Sequence, residues 1–258
     1  MEKPVVVFYH GIQEHFARYR HVIERFTTLG FRVTAMDMRG HGLSTGKRSY
    51  VTRFVHYIDD AVQHMEENVL GKFNPKKVFL WGQSYGGLVA PHVCLRIKDK
   101  LGAKMGGILL TSCAVGVDKT LIMKIQSPLG PCVSSLLPAV ALTPAVTPSM
   151  MSSDPEAVTN YAQDPLNTKG NLFARLAWET ELAMRELTAR TAEISCPLYM
   201  THGSKDICTS RIKAKYFFEN VSSTDKVFVD TTFFHTMLHE PEREEVITSM
   251  EEWLKARM

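Results

Sequence analysis

The stretch that decides the fold is KVFLWGQSYGGLVA, residues 77–90. Its first five residues are mostly apolar, which is typical of a short buried strand, and its last three favour a helix. Between them the sequence reads G-x-S-x-G, in which small residues on both sides of Ser84 allow a tight strand-to-helix turn. The stretch therefore predicts a strand, a strained turn that presents Ser84, and a helix.

Outward from this turn, short apolar runs alternate with segments of helical period along most of the chain. This alternation is typical of a parallel sheet covered by helices, so we predict the α/β class. The predicted strands are Val5–Tyr9, Arg32–Met36, Lys77–Trp81, Gly107–Thr111, Pro197–His202 and Lys226–Val229. The predicted helices are His15–Leu29, Val51–Val69, Tyr85–Lys98, Ser210–Asn220 and Glu242–Arg257.

The alternation breaks between about residues 115 and 190, a segment with five prolines before residue 150 and helical stretches after it. Such an excursion inside a compact domain is an inserted subdomain or a lid, and we favour a lid over the carboxyl edge of the sheet. We expect one domain over residues 1–258 with this cap inserted in it. Its apolar side chains, expected to form a wall for an apolar ligand or to cap the core, are Leu121, Ile122, Met123, Leu136, Leu137, Val140 and Leu142.

A serine hydroxyl becomes a good nucleophile only when a base takes its proton, and the base needs a carboxylate to orient it. Two residues downstream of Ser84 fit these roles. Asp206 follows the predicted strand Pro197–His202, and His235 follows the strand Lys226–Val229. Because all three side chains stand at carboxyl ends of parallel strands, we expect them to converge as a Ser-Asp-His triad.

The oxyanion formed during acyl transfer needs two positioned N–H donors. One is expected to be the backbone N–H of Tyr85, at the positive end of the helix after Ser84. The second is expected from the loop after the first strand, where the backbone N–H of Ile12 occupies the usual place.

Composition excludes several function classes. The 258 residues are 45% hydrophobic and 22% charged, values of an ordinary globular protein, and the net charge is only +3. We therefore expect no nucleic-acid partner. The chain has no run of 18 apolar residues and no visible leader, and its five cysteines form no C-x-x-C pair. We expect reduced thiols and a cytoplasmic protein.

Two weaker motifs lack residues that their patterns require. The sequence GLSTGK at residues 42–47 lacks the first glycine and the final Ser or Thr of a phosphate-binding loop. His235 and His239 have the spacing of a zinc pair, but no glutamate follows the first histidine. We expect no metal site and no cofactor.

Several further segments carry a resemblance to a known family. HGIQEHFARY at residues 10–19 resembles the H-G-x-x-E-H-x-x-R-Y segment of the monoacylglycerol lipase and lysophospholipase family of α/β-hydrolases, and DMRGHGLS at residues 37–44 resembles its D-x-R-G-H-G-x-S block. Its remaining landmarks match residues 164–166, 202–206 and 235–242 in the expected order. The resemblance spans essentially the whole chain.

The resemblance implies hydrolysis of a carboxylic ester of glycerol or a related lipid through an acyl-enzyme on Ser84. Alternatives with the same machinery are a lysophospholipase and a broad carboxylesterase. A ligand-binding receptor on the same fold is the alternative of another class, since a fold does not determine a function. For a lipase, we expect the lid to touch a membrane surface transiently while the protein stays peripheral.

The resemblance also suggests residues that hold the substrate. Glu14 and Arg18 would hold the glycerol hydroxyls, and His239 would border the same pocket. The alternative for the first two is a structural ion pair, because residues four apart on a helix are neighbours. The alternative for His239 is a histidine of a helical turn.

The chain departs from the family pattern in two places. The family has a further β-hairpin before its H-G segment, whereas this sequence begins almost at that strand, so the sheet is two strands shorter or the start is truncated. Tyr85 stands beside the serine where relatives commonly carry Met, and we expect its bulk to narrow the acyl pocket.

Overall fold

The centre of the molecule is a six-stranded sheet whose strands are all parallel. The computed structural model describes residues 2–118 and 127–258. The strands in these two ranges are β1 Val5–Tyr9, β2 Arg32–Ala35, β3 Val78–Gln83, β4 Met105–Thr111, β5 Ala141–Thr143, β6 Leu172–Phe173, β7 Leu198–Gly203 and β8 Lys226–Thr231. The central sheet has the order β2-β1-β3-β4-β7-β8. The six predicted strands are all present, with ends that coincide or differ by one or two residues.

Helices cover both faces of this sheet. Those in the described ranges are α1 Arg20–Thr28, α2 Val55–His64, α3 Gly86–Leu101, α4 Gly130–Leu136, α5 Pro155–Gln163, α6 Ala174–Ala189, α7 Arg211–Asn220 and α8 Glu244–Lys255. Two predicted helices are composite: a 3₁₀ turn, Phe16–Tyr19, precedes α1, and a π-helical turn, Met65–Leu70, continues α2. The predicted α/β class is confirmed.

The alternation of side chains along β1 shows how the core is divided. Val5, Val7 and Tyr9 face a core formed with α2, α3, α6 and α7, whereas Val6 and Phe8 face a second core formed with α1 and α8. All five side chains are fully buried. A strand covered on both faces needs apolar residues at every position, which explains why it appears in the sequence as a continuous run.

The chain between β4 and β7 leaves the sheet and forms the cap. Its described part contains α4, α5, α6 and a two-stranded antiparallel sheet of β5 and β6, which the sequence did not predict. Because β5 has only three residues and prolines flank it at positions 138 and 144, the sequence pattern does not indicate a strand there. The extent of the cap, 115–190, stays a prediction, and Leu121, Ile122 and Met123 lie outside the described residues.

The remaining apolar cap side chains are exposed to solvent. Leu136 is 80% exposed, and Leu137, Val140 and Leu142 are each more than 40% exposed. These four therefore do not cap the core, which was one of the two predicted roles. Within the described ranges, the helices are all too short or too polar to cross a bilayer.

Candidate active site

The turn after β3 holds Ser84 in a strained conformation. Ser84 has φ +52°, in the left-handed region that non-glycine residues rarely adopt. A Cβ added to Gly82 would lie 2.2 Å from the carbonyl oxygen of Gly86, and one added to Gly86 would lie 1.9 Å from the carbonyl oxygen of Tyr9. Only glycine fits at both positions, so the G-x-S-x-G pattern allows the close approach of β1, the turn and α3.

Ser84, His235 and Asp206 form one chain of hydrogen bonds. His235 Nε2 lies 2.8 Å from Ser84 Oγ, and His235 Nδ1 lies 2.8 Å from Asp206 Oδ2. An ionised carboxylate only accepts hydrogen bonds, so Nδ1–H donates to Asp206, and Nε2 is left to accept the hydroxyl proton. All three side chains are almost completely buried. The structure thus brings together the three residues that the sequence predicted.

Donors around Asp206 keep its carboxylate ionised. Burial raises its pKa, but the charge and hydrogen bond of His235, together with His202 and Thr209, outweigh burial and hold the pKa at about 2. The backbone N–H groups of Cys208 and Thr209 donate to Oδ1 at 2.8 and 3.0 Å, and the Thr209 hydroxyl donates to Oδ2 at 2.7 Å. A carboxylate held in this way orients the imidazole and stabilises its protonated form.

The two predicted oxyanion donors belong to the two segments next to Ser84. Tyr85 directly follows the serine at the start of α3. A Cβ built on Gly11 would lie 3.2 Å from the Cβ of Ser84, so the loop that carries Ile12 is packed against the serine. The Tyr85 hydroxyl lies 3.1 Å from that of Thr180 in α6, so this side chain joins the turn to the cap.

Glu14 and Arg18 contact each other, as the ion-pair alternative predicted. Glu14 is 1% exposed, and its Oε2 lies 3.5 Å from Arg18 Nε. Its Oε1 accepts the N–H of Gly11 at 2.7 Å and the hydroxyl of Tyr19 at 2.9 Å. The Nη1 of Arg18 lies 3.5 Å from Asp164 Oδ2. Oε1 of Glu14 is therefore occupied by the protein's own donors, whereas Oε2 has the ion pair with Arg18 and no hydrogen bond.

His239 packs beside these residues. Its Nε2 donates to the carbonyl oxygen of Arg18 at 3.0 Å, and its ring makes edge contacts with Tyr19 and His21. Burial lowers the pKa of His239 to about 3, with the Arg18 charge acting in the same direction. Arg18 and His239 together line an open cleft of about 720 Å³ against α5.

A known protein family matches almost the whole chain. The model of the Hydrolase_4 family, described as serine aminopeptidase, S33, matches residues 2–242. The chain belongs to this family of α/β-hydrolases. The predicted family resemblance is confirmed.

Individual members of the family are similar over most of the chain. The chain is 28% identical to a monoacylglycerol lipase of Mycolicibacterium smegmatis, covering 98% of this chain and 89% of that protein. It is 25% identical to phospholipase YtpA of Bacillus subtilis, covering 94% and 91%. A Dictyostelium discoideum protein described as an uncharacterized abhydrolase domain-containing protein is 27% identical over 99% of this chain, which spans only 27% of that relative's length.

Solved structures of lipases have the same fold as this chain. The crystal structure of Paleococcus ferrophilus monoacylglycerol lipase superposes with a TM-score of 0.85 at 27% identity, covering 100% of this chain and 97% of that one. A soluble variant of monoglyceride lipase from Saccharomyces cerevisiae superposes with a TM-score of 0.86 at 18% identity, covering 100% and 87%, which supports the fold. The predicted α/β-hydrolase fold is confirmed.

The family's first two motifs contain site residues to which the sequence assigned no role. The N–H of Met38 donates to His10 Nε2 at 2.9 Å, so Nδ1 carries the proton and donates to the carbonyl oxygen of Gly11 at 2.7 Å. Asp37 accepts the N–H of Phe16 at 3.1 Å and the N–H of Leu43 at 2.9 Å. The signal in the sequence was a polar residue close behind each strand, His10 after β1 and Asp37 after β2, but the partners Met38 and Phe16 lie 28 and 21 residues away and could not be predicted.

Among the described residues, one group could offer three ligands to a metal ion. Atoms of Asp206, Cys208 and His235 lie within 4.8 Å of one another. Two of these residues are the triad's own carboxylate and imidazole, which already bond to each other. His239, the other half of the zinc pair considered in the sequence, is not in this group.

Proposed function

We propose that the protein is a serine hydrolase that cleaves the carboxylic ester of monoacylglycerol-type lipids through an acyl-enzyme on Ser84. The observation that carries the proposal is the continuous hydrogen-bonded chain from Ser84 through His235 to Asp206, on a strained turn beside the Gly11 loop. The similarity to monoacylglycerol lipases over nearly the whole chain supports the substrate class.

Each residue then has a definite role. Ser84 Oγ attacks the ester carbonyl carbon while His235 Nε2 takes its proton, and the N–H groups of Ile12 and Tyr85 bind the oxyanion. Collapse of the tetrahedral intermediate expels the glycerol alkoxide, which receives the proton from His235. Water then attacks the acyl-enzyme with His235 again as base, and the fatty acid leaves as Ser84 regains its proton.

The alcohol part of the ester is proposed to face Arg18 and His239. Both line the cleft against α5, and Arg18 is linked through Glu14 to the loop beside Ser84. Arg18 can donate hydrogen bonds to hydroxyl oxygens, and no chemistry is required of it. Glu14 would act on the substrate only through Arg18, because its Oε1 accepts two hydrogen bonds from the protein and its Oε2 is paired with Arg18.

The exposed apolar side chains of the cap are proposed to contact a lipid surface. Leu136, Leu137, Val140 and Leu142 lie close together in sequence and are all exposed. Removing such side chains from water at a lipid surface is favourable by about 25 cal/mol for each Å² buried. The contact would bring the enzyme to its substrate without a membrane-spanning segment.

The second candidate is a lysophospholipase or a broad carboxylesterase, favoured by the similarity to phospholipase YtpA. The deciding experiment compares the turnover of a monoacylglycerol, a lysophosphatidylcholine and a p-nitrophenyl ester of the same acyl chain, with an amino-acid p-nitroanilide as the peptidase substrate. Ser84→Ala serves as the blank. A fluorophosphonate probe is expected to label the wild-type protein and to leave Ser84→Ala unlabelled.

The highest kcat/KM is expected for the glycerol ester. Preference for the lysophospholipid or the activated ester would replace the substrate class and leave the triad in place. Preference for the anilide would make the protein a peptidase. A folded wild-type protein that does not react with the probe would end the enzyme hypothesis in favour of a ligand-binding protein.

A further inference from the structure

Glu14 is a buried carboxylate that the proposed reaction does not use. Burying a carboxylate is costly unless it is well bonded, so its partners indicate why it is there. Burial raises the pKa of Glu14, and the Arg18 charge and the hydrogen bonds from Tyr19 and Gly11 act against that rise. Its shortest contact, 2.7 Å, is with the N–H of Gly11.

Gly11 lies between this carboxylate and the nucleophile. A Cβ built on Gly11 would be 2.4 Å from Glu14 Oε1 and 3.2 Å from the Cβ of Ser84. The carboxylate and the serine therefore both lie close to this residue of the loop and leave no room for a side chain on it. A shift of the carboxylate would shift the loop relative to Ser84.

Side chains hold both polar groups of Gly11. Glu14 accepts its N–H, and His10 Nδ1–H donates to its carbonyl oxygen at 2.7 Å. The carbonyl of Gly11 and the N–H of Ile12 belong to one planar trans peptide and point in opposite directions. Fixing Gly11 at both groups therefore fixes the direction of the Ile12 N–H.

We propose that Glu14 is a positioning residue of the oxyanion hole. Its Oε1 holds the Gly11 N–H, so that the loop keeps the Ile12 N–H directed at the oxyanion beside Ser84. This inference rests on the proposed function, in which Ile12 is an oxyanion donor. Because Glu14 acts through the loop, its loss slows the hydrolysis of every ester to the same extent, whatever the alcohol.

Two other roles for Glu14 give different expectations. A glycerol contact would affect only glycerol esters, chiefly through KM. A structural ion pair with Arg18, at 3.5 Å, would depend on charge. Positioning depends instead on reach, because the acceptor must extend to the Gly11 N–H.

The test therefore changes the length and the charge of the side chain at position 14 separately. Glu14→Gln keeps the length and an acceptor oxygen without the charge, whereas Glu14→Asp keeps the charge but is one methylene shorter. On both a monoacylglycerol and p-nitrophenyl butyrate, we expect kcat within about threefold of wild type for Gln and a loss of about tenfold or more for Asp, with KM little changed. Glu14→Ala should lose at least as much as Asp. If the alanine variant does not fold, the Gln and Asp pair carries the test.

Glu251→Gln is the matched control. Glu251 is also a buried carboxylate, 5% exposed and bonded to Arg25 at 2.8 Å, but it lies in α8, outside the machinery proposed here. Its substitution is expected to lower the melting temperature without changing kcat. A trifluoromethyl ketone forms a tetrahedral adduct with Ser84 Oγ that carries an oxyanion. Its affinity for Glu14→Asp should fall by the same factor as kcat/KM.

Three results would overturn the inference. Activity retained by Asp and lost by Gln would show an ionic role. A loss confined to the glycerol ester would show a substrate contact. An unchanged kcat in all three variants, with only lower stability, would show a structural role. In each case wild-type turnover and probe labelling at Ser84 would persist, whereas their absence in the wild-type protein would mean that the proposed function itself had failed.

Discussion

The sheet and the cap of this molecule are built in different ways. Every residue of β1 and β3 is buried, and the triad at the edge of the sheet is joined by two hydrogen bonds of 2.8 Å. The cap instead presents Leu136 at 80% and Leu142 at 48% exposure, and its own sheet has only two short strands. The central sheet and the helices outside the cap, here called the body, are closely packed, which suits chemistry that needs fixed geometry. An exposed apolar cap suits contact with a lipid.

The strongest test of this contrast lies in the triad. His235→Ala should lower kcat by about 10⁴-fold or more, and Asp206→Asn by about 10⁴-fold through a misoriented imidazole. Because the triad acts on the carbonyl group, these losses should be equal for a soluble p-nitrophenyl ester and for a monoacylglycerol. Steady-state kinetics on both substrates checks this, with circular dichroism to confirm the fold. Near-normal kcat in either variant would contradict the proposed mechanism.

The second prediction concerns packing in the body. Gly86→Ala would place a methyl group 1.9 Å from the backbone oxygen of Tyr9, an atom that cannot rotate away. We expect a loss of about 3 kcal/mol in the free energy of unfolding, measured by urea denaturation. Ala90→Gly, one turn later in α3, is the control and should cost about 1 kcal/mol. Equal effects of the two substitutions would mean that the contact between β1 and α3 is not tight.

The third prediction concerns the pH dependence of stability in the body. All the histidines of the chain lie outside residues 115–190, the predicted cap. Burial lowers the pKa of His41 to about 4. Below the unfolded pKa of about 6.5 the unfolded chain binds a proton that the folded chain does not, so stability falls from pH 6.5 towards pH 4. At pH 5 the loss from His41 is on the order of 2 kcal/mol.

The measurement is the free energy of unfolding of the wild type and of His41→Gln at pH 7 and pH 5. The variant should lose less stability between the two pH values, by about the amount given for His41. Asp206 does not contribute in this window, because its pKa of about 2 places the loss of its stabilisation between about pH 4 and pH 2. An identical decrease in the two proteins would mean that His41 is protonated in the folded state.

The smallest effect is expected in the cap. The double substitution Leu136→Ser and Leu142→Ser should leave kcat/KM on soluble p-nitrophenyl butyrate unchanged and lower the rate on a monoacylglycerol in vesicles several-fold. Leu43→Ser is the control, because Leu43 is 81% exposed but lies in the body. A similar loss in the control, or no loss in the double variant, would argue against a membrane-facing cap.

The body and the cap also differ in how much of each could be predicted from the sequence. The central strands β1, β3 and β4 are almost completely buried and appear in the sequence as largely apolar runs, and Ser84 lies in a local pattern of spacing, so these features could be predicted. Asp206 and His235 followed from the rule that parallel strands end at one edge. The β5 and β6 pair was not predictable, because strands of three and two residues gain their stability from tertiary contacts.

The partners of polar residues in the site were harder to predict. The bond from the Met38 N–H to His10 joins the ends of two separate strands, and no local pattern specifies it. The role of Glu14 was open for a similar reason. Its spacing from Arg18 suggests an ion pair, which the structure contains, but its shortest bond is to a backbone group three residues earlier.

The segment with the cap leaves the sheet at the carboxyl end of β4 and returns at the amino end of β7, and these two strands are hydrogen-bonded parallel neighbours, with Thr111 opposite Thr201. A connection between parallel neighbours has to cross from one edge of the sheet to the other, and here α6 is the last α-helix before β7. The register of the two strands is set by their own hydrogen bonds, and the entropy of closing the connection changes only slowly with its length. The part of the connection before α6 can therefore be lengthened, shortened or exchanged while β4 and β7 stay paired, and for protein engineering it is the segment to graft from a relative in order to transfer its selectivity.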